Sequence, residues 1–118
     1  MSTRDLGYQA ETLAGFYLQA KGYHIVETNW QHGHYELDIV AFDLDQKNWL
    51  FVEVKSAQTS DTAMRHFTEG KKQNLAYAIE HYLDEKNTRQ YDCQIDLIAL
   101  GINNQGSLRT IDHIPNVI

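Results

Sequence analysis

Between residues 3 and 21, apolar side chains return at steps of three and four: Leu6, Ala10, Leu13, Ala14, Tyr17 and Leu18. That spacing predicts an α-helix with one buried face, and Gly22 stands where a helix commonly closes in a left-handed residue. The period then shortens. Residues 23–28 predict a strand, and residues 29–35, with Gly33 and the histidines His32 and His34, predict a turn. Residues 36–41 and 49–55 predict two more strands, and the polar segment 43–48 between them is short enough for a hairpin. Three strands joined in this way form an antiparallel meander.

After a polar stretch at 56–62, Lys71, Leu75, Ala78, Ile79 and Tyr82 mark one face of a second helix, with Thr68 as N-cap and an end near Asn87. Residues 94–100 predict a strongly apolar strand, 103–107 a turn and 108–114 a last strand. The order is α-β-β-β-α-β-β. A helix between the third and fourth strands implies a right-handed crossover, which makes those strands parallel neighbours in a mixed sheet flanked by helices. With 118 residues, 42% of them hydrophobic, and no repeat or linker, the expectation is one α/β domain spanning residues 1–118.

No stretch approaches the ~20 apolar residues of a membrane span, and residues 1–5 lack the basic-then-apolar start of a secretory signal. A cytoplasmic protein without a membrane partner is expected. The single cysteine, Cys93, has no partner for a disulfide or a metal-binding pair and is expected as a small buried apolar residue. Net charge is −6, and neither half is basic: residues 1–60 carry four basic and eight acidic side chains, residues 61–118 six and eight. Contact with a polyanion must therefore be local or assisted by bound metal.

Alternation on a strand places Glu36 and Asp38 on one face, and likewise Glu53 and Lys55. If the two strands pair, four charged groups converge. The charges of Glu53 and Lys55 interrupt Leu50-Phe51-Val52, an apolar run in which an unpaired carboxylate is strongly disfavoured. A divalent cation would hold such carboxylates ionised, and oxygen-only ligands suit Mg²⁺ or Mn²⁺ rather than zinc. Asp38 and Glu53 are the expected ligands, joined by the carbonyl of Val54, with Glu36 or Glu11 completing the shell directly or through water. Lys55 would hold the attacking water or stabilise charge on the phosphoryl oxygens. Lys71 and Lys72 of the second helix, with Arg65 and His66 before them, would offer a local basic edge to a phosphate backbone, although Lys71 and Lys72 also suit a solvated first helical turn. Blander expectations attach to His32 and His34 as polar turn residues, to Trp30 and Trp49 as packing at the core edge, and to Asp96 as a structural acid satisfied by a turn or the first helix.

The chain resembles the YraN-like proteins, a bacterial family similar to archaeal Holliday-junction resolvases of the PD-(D/E)xK nuclease superfamily. The resemblance runs over nearly the whole chain. It is carried by Ala10-Glu11 with Ala14 and Leu18, Lys21-Gly22-Tyr23, Asn29-Trp30, Glu36-Leu37-Asp38-Ile39-Val40-Ala41 and Phe51-Val52-Glu53-Val54-Lys55. It continues through Lys71 with Leu75, Tyr82-Leu83, Asp96-Leu97-Ile98-Ala99 and His113-Ile114-Pro115-Asn116. It implies a restriction-endonuclease-like fold, metal and catalytic roles for Glu11, Asp38, Glu53 and Lys55, and a match of Glu36 to the acid that accompanies the aspartate. It further implies a DNA endonuclease acting on branched or otherwise distorted DNA. A four-way junction has two symmetric scissile strands, so a homodimer is expected with it. Two positions depart from the family pattern: Tyr35 stands in place of a glycine, and Ala57 in place of an arginine that would touch phosphate. The competing expectation is a non-catalytic nucleic-acid-binding or protein-interaction module that keeps the fold, which the acidic balance favours.

Overall fold

The computed structural model of the chain describes residues 3–118, with side chains from Asp5 onward. Met1 and Ser2, the start of the segment read for a secretory signal, lie outside the described residues. Helix α1 (Thr3–Ala20) is followed by β1 (His24–His32), β2 (Tyr35–Asp43) and β3 (Asn48–Ala57). Then come α2 (Ser60–Arg65), α3 (Glu69–Lys86), β4 (Asp92–Ile102) and β5 (Leu108–Ile114). The five strands form one sheet in the order β1-β2-β3-β4-β5. β3 and β4 run parallel and every other pair is antiparallel, so the meander and the parallel crossover read from the sequence are both present.

Local chemistry sets the element ends. α1 closes with the Tyr23 N–H on the Leu18 carbonyl and the Gly22 N–H on that of Gln19, with Gly22 at φ +97°. α3 begins where the Thr68 hydroxyl accepts the Lys71 N–H and ends at Asn87, left-handed at φ 51°. In the β2–β3 hairpin, Asp43 Oδ1 accepts from the N–H groups of Asp45 and Gln46.

Three sequence expectations are corrected. The second helix is preceded by a separate short one, α2, capped by Thr59, whose hydroxyl accepts the Thr62 N–H. Six residues are too few to show a helical period, so the segment reads only as polar. β1 extends to His32 instead of ending at residue 28: Asn29 takes a left-handed φ of 53° inside the strand, and the turn is only Gly33-His34. Cys93 is exposed, not buried. It lies on the part of β4 before Leu97, where pairing with β5 has not begun.

The two sheet faces carry separate cores. Ala10, Ala14 and Leu18 of α1 pack on Ile39, Ala41, Leu50, Val52, Ile98 and Leu100. Leu75, Ala78, Ile79, Tyr82 and Leu83 of α3 pack on the other face, against Leu37, Val40, Phe51 and Leu97. Trp30 and Trp49 belong to this second core and meet Tyr82 edge-on at 5.3 and 5.9 Å. Their indole N–H groups donate to Glu85 and Thr88.

Asp96 is fully buried and structural. It accepts from the Asn116 N–H at 3.0 Å and from Gln94 Nε2 at 2.9 Å, and His113 Nε2 lies 2.6 Å from its Oδ2. Its partners are thus β4, β5 and the segment that follows β5, not a turn, and the first helix reaches it only through His113, whose Nδ1 lies 3.1 Å from the Tyr17 hydroxyl. Among the described residues, no helix is long and apolar enough to cross a membrane.

Candidate active site

The β2–β3 ladder runs from Asp43↔Asn48 to Ile39↔Val52 and stops there. The next residue of β2 is Asp38, whose Oδ2 accepts the Val54 N–H at 2.8 Å in place of a backbone partner. The side-chain alternation of β2 breaks at the same point. Leu37 belongs to the core under α3 and Ile39 to the core under α1, although residues two apart on a regular strand share a face. The two strands pair as the meander requires, but only as far as Ile39↔Val52, and the acids stand where the strands part.

A cleft of about 310 Å³ fills the gap. Glu11 lines it from α1, Tyr35, Glu36 and Asp38 from β2, Glu53, Val54 and Lys55 from β3, and Lys71 and Asn74 from α3. Glu53 and Lys55 share the strand face of Phe51, which points toward α3, so the crossover helix brings Lys71 over the same space. Five acidic and basic side chains chosen from sequence as metal-binding or catalytic (Glu11, Glu36, Asp38, Glu53 and Lys55) thus border one cavity.

The electrostatics are those of crowded carboxylates. Burial pushes the Glu53 carboxyl up to about 9, with the hydrogen bond and negative charge of Asp38 adding to the shift and Lys55 and Lys71 opposing it. Glu11 is raised to about 7 by burial and by the charge of Asp38, against a hydrogen bond from Asn29. At neutral pH, Glu53 therefore keeps its proton in the metal-free protein. Glu11 Oε2 is buried without a hydrogen-bond partner, an expensive state that an added donor or cation would relieve.

These are hard oxygen donors with surplus negative charge, a set that fits Mg²⁺ or Mn²⁺ in kind. Among the described residues, no three His, Cys, Asp or Glu side chains are gathered closely enough to hold an ion between them as placed.

The proposed basic edge is narrower than the sequence suggested. Lys71 borders the cleft. Lys72 is paired with Glu69 at 3.3 Å and lies over the Phe67 ring, and it borders a different groove. Arg65 ends α2, exposed and outside the cleft lining. His32 stacks on His81 at 4.4 Å, while His34 and Tyr35 reach the cleft rim. Asn74 of the cleft escaped the sequence reading, although it lies one turn after Lys71 and so had a signal in that helical spacing. Asn29, read as a turn residue and as part of the Asn29-Trp30 match to the family, lines the adjoining groove and hydrogen-bonds Glu11, a role its spacing does not announce.

The sequence pattern of the Uncharacterised protein family UPF0102 matches residues 10–100. A UPF0102 protein of Chlorobium chlorochromatii is 34% identical over 121 residues, covering 98% of this chain and 92% of its own. One from Carboxydothermus hydrogenoformans is 33% identical, covering 100% and 98%, and one from Lawsonia intracellularis is 30% identical, covering 99% and 87%. The molecule is an α/β protein with a five-stranded mixed sheet, compatible with a nuclease-like fold. The chain belongs to the UPF0102 family, the YraN-like proteins.

Proposed function

We propose that this chain is a Mg²⁺- or Mn²⁺-dependent DNA endonuclease that hydrolyses phosphodiesters. The observation that supports this most is the split of β2 from β3 at Asp38, which leaves Glu11, Asp38, Glu53, Lys55 and Lys71 around one cavity. Asp38 and Glu53 would hold the cation with the Val54 carbonyl, and Glu11 or Glu36 would complete the shell. A bound cation would supply charge neutralisation at the phosphoryl oxygens and a lowered pKa for water. The cation would also take the place of the proton that Glu53 keeps. Lys55, a compact point charge on the same strand face as Glu53, orients the attacking water or stabilises the charge growing on phosphorus-bound oxygen. Lys71 binds phosphate at the cleft mouth.

The test is cleavage of linear, flap and four-way-junction DNA with Mg²⁺ or Mn²⁺, run beside Asp38→Ala and Lys55→Ala. Metal-dependent cutting by wild type that both substitutions reduce at least ~100-fold supports the proposal. Equal residual cutting by all three proteins overturns it. Branched DNA as the preferred substrate and a two-fold homodimer are parts of the proposal, and light scattering that shows monomer alone at high concentration removes the second.

The net charge of −6 favours a second reading, in which the domain binds nucleic acid or protein without cutting. Absence of Mn²⁺ binding by the wild-type chain would select it.

A further inference from the structure

Behind Glu11 a second groove opens between α1 and β1, and Glu11 lines both cavities. It has a volume of about 230 Å³, below the ~300–1,000 Å³ of sites for drug-sized ligands. One flat ring system suits that space better than a whole nucleotide. Two aromatic rings border it, Tyr8 at 51% exposure and Phe16 at 63%. Ile25 adds an apolar wall, and Asn29 and Gln19 contribute amides.

Gly15 also lines the groove, and a Cβ placed there would meet nothing within 4 Å. Glycine inside a helix is disfavoured against alanine, so the open space above it comes with a local cost in helix propensity. Apart from Glu11, the groove is lined by neutral groups. It offers an aromatic face and amide edges with little charge, which is the complement of a nucleobase.

Charge leads to the same occupant. With a net charge of −6, phosphate contacts are confined to the cleft with its cation and Lys71, so a contact to a base would add to a hold that charge alone leaves weak. Bases in a duplex are stacked out of reach, and only an unpaired or extruded one enters a side pocket.

We infer that the α1–β1 groove receives one unpaired nucleobase, stacked on Phe16, from a DNA strand whose phosphate lies in the adjoining cleft. This rests on the nuclease reading for the position of the phosphate. It adds a specificity site: the unpaired base decides which phosphate the cleft meets.

The test uses the full chain and two DNA duplexes, one fully paired and one with a single unpaired 2-aminopurine, titrated with and without Ca²⁺, a cation that oxygen ligands also hold. Wild type binds the unpaired-base duplex ~10-fold more tightly, the worth of one stacked base, and raises its emission as the base leaves the DNA stack. Phe16→Ala removes the aromatic face and Gly15→Leu fills the groove. Both substitutions bring the two affinities together, while Phe16→Trp retains the preference. Equal wild-type affinities, or a preference untouched by both Phe16→Ala and Gly15→Leu, overturns the inference. Loss of a dimer in those variants assigns the groove to a second copy of the chain and overturns it equally. Cleavage is scored separately with Mg²⁺ and Mn²⁺. A protein that prefers the unpaired base but never cuts refutes the nuclease and not the base site, and one that cuts both duplexes while binding them equally does the reverse.

Discussion

The Asp38 carboxylate accepts the Val54 N–H at 2.8 Å, standing in for the β2 backbone at the point where β2 and β3 separate. One side chain therefore supports the split sheet and lines the cleft. Asp38→Ala should cost about 1–3 kcal/mol, because it leaves a buried N–H without an acceptor. Asp38→Asn keeps an amide oxygen for that N–H and should lose less than half as much, yet abolish metal-dependent activity. Urea unfolding of both variants beside the cleavage assay separates the two roles, and equal destabilisation by the two would sever the N–H from the stability effect.

Metal-free stability should fall as pH rises. Glu53 and Glu11 have folded values of about 9 and about 7 against an ordinary 4.5, so the folded state binds their protons more tightly than the unfolded chain does. Their contribution is complete below about 4.5 and is lost as pH climbs through about 7 and then about 9. With a chelator present, the urea midpoint should drop between pH 5 and pH 9 on this account, and Glu53→Gln should flatten the upper part of the decline. A midpoint that rises over this window contradicts the assignment.

Asp96 should be a large contributor to stability and no contributor to the cleft. Asp96→Ala strips the acceptor from Gln94, His113 and the Asn116 N–H in a fully buried position, with an expected loss of about 3–5 kcal/mol. His113→Gln should cost less. Under conditions where each variant remains folded, Mn²⁺ affinity should match wild type, and a weakened affinity would tie this network to the site.

Gly101 sits where the start of α2 approaches β4. A Cβ there would lie 2.6 Å from Thr110 Oγ1 and 3.2 Å from the Ser60 backbone nitrogen. Gly101→Ala should destabilise by about 1–3 kcal/mol through overpacking, and thermal unfolding that leaves it as stable as wild type would show that α2 yields at no cost.

Much of this molecule was readable before its coordinates. The faces of α1 and α3 obey a helical period, and the α3 crossover made β3 and β4 parallel neighbours. The charges that break the apolar run of β3 marked Glu53 and Lys55. What escaped depends on geometry that residue spacing does not carry. Regular alternation implied that Glu36 and Asp38 share a strand face, whereas the two reach one cleft because β2 breaks its alternation beside the left-handed Asn29. Arg65 and Lys72 read as partners of Lys71 on charge alone. Their directions follow from α2, too short to leave a period, and from the Glu69 pairing of Lys72. Cys93 looked buried by type, but β5 does not reach that part of β4.

Calorimetric titration of the full chain with Mn²⁺ at neutral pH tests the central claim most directly. The account predicts micromolar binding, release of protons as the cation displaces the one on Glu53, and loss of both signals in Asp38→Asn. Wild-type protein that takes up no Mn²⁺, or Asp38→Asn that binds it as tightly, would contradict a metal site at the parting of β2 and β3.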